Sequence, residues 1–228
     1  MKQLKELYEK YEKQFTNMKA PDGIIIDTKR VIDKTVFFPA GDGLYYEEET
    51  PTHIEYMVIG QDFDTIDKFR ALQKDKKSEL ETGNTTWRNL LKLLGDEGID
   101  KKSVFYTNAI MGYRDGGKNT GKSPAFKDEK FIAVCQKFMI EQISMVKPKK
   151  IIVLGANLFD FMAALSDDLK AIKDVKKFKD LDKRIYRGVT FNNVGSLKCD
   201  ILFMLHPSLF FANAREMKET YLSELKKF

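Results

Sequence analysis

The chain has 228 residues, 43% hydrophobic and 32% charged, a length that buries one sizeable core and a balance that excludes collagenous and wholly disordered chains. Its 39 Lys and Arg against 34 Asp and Glu leave a net charge of +5, compatible with a polyanionic partner but shared by many proteins that have none. The longest apolar stretch, Ile151 to Leu165, is broken by Asn157 and Asp160 and falls short of the ~20 continuous apolar residues of a membrane span, while Cys135 and Cys199 are too few and too far apart for a disulfide framework or a structural zinc site.

Charges alternate with apolar residues through the first residues, MKQLKELYEKYEK, which is not the pattern of a secretory signal, so a soluble cytoplasmic protein is expected. Leu4, Tyr8, Tyr11, Phe15 and Met18 recur at spacings of three and four and predict an amphipathic helix. From Asp22 to Thr52 the chain reads as irregular, with Pro39, a turn at Gly41 to Gly43 and an acidic run, Glu47 to Glu49.

Four short apolar runs follow: Ile54 to Ile59, Val104 to Tyr106, Ile151 to Leu154 and Ile201 to Leu205. Near-continuous apolar runs of this length suit strands covered on both faces of a parallel sheet. Helices are predicted between them at Thr86 to Leu94, Asp128 to Val146 and Leu158 to Leu165. The Lys-rich segments Lys68 to Lys77 and Lys170 to Lys183 read as solvated faces. The expected fold is a single α/β domain over residues 1–228, with a four-stranded, mainly parallel central sheet between helix layers and an N-terminal helix and irregular segment (1–53) packed on it.

Ligands of open parallel sheets bind beyond the carboxyl ends of the strands. The residues there are Gly60-Gln61-Asp62, Thr107-Asn108-Ala109, Gly155-Ala156-Asn157 and His206-Pro207-Ser208. Each has a plainer role open to it: Asp62 as a helix cap, Asn108 in a turn, His206 in the core. Together they put an acid, a carboxamide and an imidazole at the ends of three strands. A carboxamide offers a donor and an acceptor to the planar edge of a nucleobase. A carboxylate stabilises a developing cation or orients water, and an imidazole N–H stabilises a developing oxyanion. The set fits cleavage of a base from its sugar.

At these residues the chain resembles the uracil-DNA glycosylase superfamily. Gly60-Gln61-Asp62-Phe63 is similar to the GQDP motif of its best-known branch, Tyr106-Thr107-Asn108-Ala109 to the strand whose Asn reads uracil, and His206-Pro207-Ser208 to the HPS motif. The segment Cys135 to Gly155, with Gln142-Ile143, Pro148 and Ile151 to Gly155, resembles a helix and strand of the thermophilic branches, and the likeness spans about Glu55 to Phe211. The resemblance implies a repair enzyme that hydrolyses the N-glycosidic bond of a flipped-out damaged base, with uracil in DNA the leading substrate. It implies Asp62 and His206 as catalytic residues, Gln61, Phe63 and Asn108 around the base, and Ser208 and a wedge, Phe210, against DNA. Trp87 is the expected stacking platform, with a core position its alternative. Phe63 and Asp64 stand where that branch has Pro and the Tyr that excludes a thymine methyl group. The four-cysteine iron-sulfur cluster of some branches would need two further cysteines, so no cluster and no other cofactor is expected, and the protein is expected to act as a monomer.

Gly116 to Ser123, GGKNTGKS, also satisfies the P-loop pattern GxxxxGK[ST] of nucleotide hydrolases. Met111 to Asp115 separates it from the preceding strand and Pro124 follows it, whereas a P-loop runs from strand directly into helix. The same loop reads alternatively as a basic segment touching a DNA phosphate through Lys118, Lys122 and Ser123. A catalytically silent nucleic-acid-binding relative is the other alternative.

Overall fold

The computed structural model describes residues 2–26, 37, 43–44, 53–75, 85–116, 120–192, 194–195, 197–209 and 223–228. Five strands form the central sheet: β2 (Tyr56–Gly60), β3 (Val104–Asn108), β5 (Lys150–Leu154), β6 (Ile185–Thr190) and β7 (Lys198–Met204), in the order β3-β2-β5-β7-β6. The first four in that order are parallel and β6 is antiparallel to β7. A small antiparallel pair, β1 (Ile24–Ile25) with β4 (Tyr113–Arg114), lies apart from it.

Side chains alternate across a strand, and here the alternation sorts the strands' residues between two cores. Met57, Ile59, Phe105, Ile151, Val153 and Phe203 enter one. Val58, Tyr106, Ile152, Leu154, Leu202 and Met204 enter the other. The first core is covered by α1 (Lys2–Thr16), α4 (Glu129–Val146) and α5 (Phe159–Ala163), and the second by α3 (Thr85–Asp96), giving a three-layer α/β architecture. Helix α1 docks on α4 through rings, Tyr11 lying 4.5 Å from Phe138 and Phe15 5.7 Å from Phe131 between centroids. The Tyr11 hydroxyl also donates to Glu141 at 2.6 Å. Helix α4 starts where Asp128 caps the Phe131 amide at 2.9 Å.

The fifth strand corrects the expected count of four. Its sequence, IYRGVT, carries exposed Arg187 and Gly188 at a register irregularity between Tyr186 and Val189, so it offers no continuous apolar run. Helix α2 (Ile66–Asp75) likewise replaces part of the Lys-rich segment Lys68 to Lys77: its lysines face outward while Ile66 and Phe69 pack with Tyr113. In the other Lys-rich segment, Lys170 to Lys183, Ile172 is buried, as is Leu169 just before it, so that stretch is anchored to the core. The acidic run Glu47 to Glu49 lies outside the described residues.

Candidate active site

Strand β2 ends at Gly60, and the next residues leave the sheet as a loop stitched to the segment after β3. The Ala109 amide donates to Gly60 O, the Ile110 amide to Gln61 O and the Arg114 amide to Asp64 O, each at 2.9 Å. These bonds satisfy a loop that the sheet no longer pairs. Asp64 takes a left-handed φ of 71°. Its carboxylate turns toward the start of α2, accepting from the Thr65 amide and from Lys68, both at 2.8 Å.

Asp62 is held from several sides. Its Oδ2 accepts from Arg114 Nε at 2.8 Å and from Gln61 Nε2 at 3.3 Å, and its Oδ1 accepts from the Asp64 amide at 3.3 Å. The Asp62 and Arg114 side chains are 8% and 5% exposed. Burial pushes the Asp62 carboxyl above the usual carboxylate range, opposed by the Arg114 guanidinium beside it. Arg114 reaches further, donating through Nη1 to Thr120 O at 2.9 Å and through Nη2 to Gly121 O at 2.8 Å.

The end of the glycine-rich segment, Thr120 and Gly121, is therefore docked on the first motif. Gln61 adds to this: its Nε2 donates to Gly121 O at 3.0 Å and its Oε1 accepts from the Ser123 amide at 3.4 Å. The carboxamide expected to meet a base is engaged in holding the loop. Ser123 is 2% exposed, which removes it from the surface offered to a phosphate. Lys122 is half-exposed, 3.5 Å from Asp160, a carboxylate that also pairs with Lys176 at 3.1 Å. Lys118 lies outside the described residues.

This geometry overturns the P-loop reading. Ser123 leads into a short 3-10 turn, Pro124–Lys127, and α4 begins only at Glu129, so no helix N-terminus stands at Lys122 and Ser123 to receive phosphate. The strand before the loop, β4, belongs to the small antiparallel pair.

Asn108 closes β3 directly opposite Gly60 in the parallel register and is 4% exposed. A Cβ on Gly60 would collide with Asn108 Oδ1, so the missing side chain makes room for the carboxamide at the end of β2, where the Phe37 ring edge stands at ordinary contact distance. Behind Asn108, the Thr107 hydroxyl donates to Gln142 Oε1 of α4 at 2.8 Å. Phe63 is partly buried, its ring 5.5 Å from Tyr113. Trp87 takes the core position: it is 3% exposed and packs 4.9 Å from Phe37 and 5.1 Å from Tyr106. Its ring is spent on the second core, which corrects the expected stacking role.

His206 follows β7 by two residues. Its Nδ1 lies 2.8 Å from Ser208 Oγ and 3.4 Å from the Ser208 amide. An amide N–H only donates, so Nδ1 is the acceptor and the neutral ring carries its proton on Nε2. Burial holds the imidazole below its usual range, opposed by the charge of Asp64. The turn is fixed from α3, where buried Asn89 donates through Nδ2 to Pro207 O at 2.8 Å. Leu209 is 53% exposed at the end of the turn. Phe210 lies outside the described residues.

Between His206 and the first motif runs β5, and the residue after it, Gly155, has a φ of 96°. A Cβ there would meet His206 Cβ at 3.9 Å, so the missing side chain leaves the edge open between β2 and β7. Asp62, Asn108 and His206 thus stand at or just past the ends of three parallel strands on one edge of the sheet. Sequence reasoning missed Arg114, Asn89 and Phe37, none of which stands at a strand end of the parallel sheet. Among the described residues no group of three or more His, Cys, Asp or Glu is placed to hold a metal ion. Cys135 and Cys199 are buried thiols, pushed by burial up to about 12 and about 11. No helix among the described residues is long and apolar enough to cross a membrane.

No curated protein matches the chain. A family model does, over residues 49–227 of 228, and its description is the uracil DNA glycosylase superfamily. The match takes in all three strand-end motifs and leaves α1 outside it, and on that span the chain belongs to the uracil DNA glycosylase superfamily.

Proposed function

We propose that the protein is a DNA glycosylase that hydrolyses the N-glycosidic bond of a flipped-out damaged base, with uracil in DNA as its substrate. The observation that carries this reading is the placement of Asp62 and His206 just past the ends of β2 and β7, and of Asn108 as the last residue of β3, on one edge of the parallel sheet. The family acts on DNA, and a base paired within the stack is out of reach, so the target nucleotide leaves the duplex first. Exposed Leu209, beside the His206 turn, is the described apolar side chain suited to fill the gap it leaves.

Asn108 pairs with the edge of the extruded base. As the bond from the sugar C1′ to the base nitrogen breaks, its electron pair leaves with the base. The base carbonyl oxygen gains negative charge, which the Nε2–H of neutral His206 stabilises by hydrogen bonding. The sugar becomes oxocarbenium-like, and the Asp62 carboxylate stabilises that cation and orients the attacking water. Water oxygen bonds to C1′, its proton is released, and the products are an abasic site and the free base.

Asp62→Asn is expected to slow single-turnover excision by about 10²–10⁴-fold and His206→Ala by about 10²–10³-fold, with circular dichroism unchanged. Wild-type rates in both would remove these roles.

A further inference from the structure

Nothing in the proposed chemistry explains Arg114. It is 4% exposed, and a guanidinium is buried only at considerable cost unless its N–H groups find acceptors. At least three of its five donors do, and they reach two different parts of the chain. Nε serves the Asp62 carboxylate, while Nη1 and Nη2 serve the main-chain carbonyls of Thr120 and Gly121. Its own backbone is fixed by β4, by pairing with Ile24 and by the bond from its amide to Asp64 O. The planar fork is rigid, so the carboxylate and the loop are aligned against each other through one side chain.

We infer that Arg114 is a positioning residue of the reaction, aligning the Asp62 carboxylate and locking it to the Thr120–Gly121 loop so that loop docking and carboxylate alignment are one event. The inference rests on the glycosylase reading of Asp62. The charged groups acting on that carboxylate are Arg114 from β4 and, two residues along its own loop, Asp64, which opposes Arg114. Because Lys122 sits on the same loop, a phosphate held there would steady the loop whose carbonyls hold Arg114 in place.

Asp62 acts as a carboxylate, and burial already favours its protonated form. Without the guanidinium the proton is held more tightly, so activity is lost at higher pH as the medium is acidified. Two readouts are needed on wild type, Arg114→Gln and Arg114→Lys: the pH profile of single-turnover excision, and an NMR titration of the Asp62 carboxyl carbon, whose signal is assigned by its loss in Asp62→Asn; excision is also measured on Asp62→Asn. For Arg114→Gln the carboxyl titration and the acid limb of excision are expected to rise together by about one pH unit or more. For Arg114→Lys, which keeps the charge but not the fork, the acid limb is expected near that of wild type. Its kcat should nevertheless fall roughly 10- to 100-fold at little-changed KM. An acid limb in Arg114→Gln that matches wild type overturns the inference while leaving the glycosylase reading intact. If Arg114→Gln fails to fold, Arg114→Lys decides: a rise in KM at unchanged kcat overturns it. If Asp62→Asn excises as wild type does, the reading of Asp62 fails, whatever Arg114 does to the titration, and the inference falls with it.

Discussion

At the scale of single residues, the site relies on groups held in one protonation state and one orientation. His206 is kept neutral by burial, so the folded protein binds its proton less tightly than the unfolded chain. Its contribution to stability is complete above the usual imidazole range and is lost as pH falls through that range toward the lower folded value. Denaturant titrations between about pH 5 and 7 should therefore lose less stability on acidification for His206→Gln than for wild type. A parallel pH dependence would contradict the burial assigned to the ring. Asn89 holds the same turn from behind. Asn89→Ala leaves Pro207 O without that partner and is expected to cost about 1–3 kcal/mol, with slower excision because the turn carrying His206 loosens. Leu209→Ala should reduce excision from double-stranded DNA more than from single strands, because only a duplex has a gap to fill. Asp64 stands where the resemblance expects a Tyr, and its carboxylate is turned to the Thr65 amide and Lys68. The protein is accordingly expected to excise 5-hydroxymethyluracil as well as uracil, and rejection of the substituted base in the same gel assay would refute this.

At the scale of elements, what was legible in the sequence followed from pattern. The four apolar runs became the four parallel strands, because residues buried on both faces leave a nearly continuous apolar signature. The motif residues at their ends were legible for the same reason. Strand β6 was not, since an edge strand with Arg187 and Gly188 exposed at an irregularity has no such signature. Helix α2 was hidden in a segment whose charged residues mask its apolar face; among its described side chains Ile66 and Phe69 anchor it. Arg114 was illegible for a different reason. Its partners, Asp62 and the carbonyls of Thr120 and Gly121, become neighbours only once β4 pairs with β1 and the loop folds back. Trp87 shows the opposite error, a lone Trp between strands that suggested a binding surface but fills a core. The element contact outside the family match is also testable. Burial and Glu141 push the Tyr11 hydroxyl upward, so it remains a donor to that carboxylate at neutral pH. Tyr11→Phe should cost about 1 kcal/mol in urea unfolding, and no change would mean that this bond between α1 and α4 adds nothing to their docking.

At the scale of the whole molecule, the sheet order puts β5, followed directly by Gly155, between the strand that delivers Asp62 and the strand that delivers His206. Thr120 to Ser123 dock against the first motif with Lys122 half-exposed. If that lysine meets a phosphate, Lys122→Ala should weaken DNA binding and make the slope of log affinity against log salt shallower by about one unit. An unchanged slope would move the phosphate contact elsewhere. The central claim is that this edge of the sheet releases a base from DNA. Its most direct test is incubation of purified protein with end-labelled single- and double-stranded oligonucleotides carrying one uracil, followed by alkali to cut any abasic site. The account predicts a single cut at the uracil, lost in Asp62→Asn; intact oligonucleotides with both proteins would contradict it.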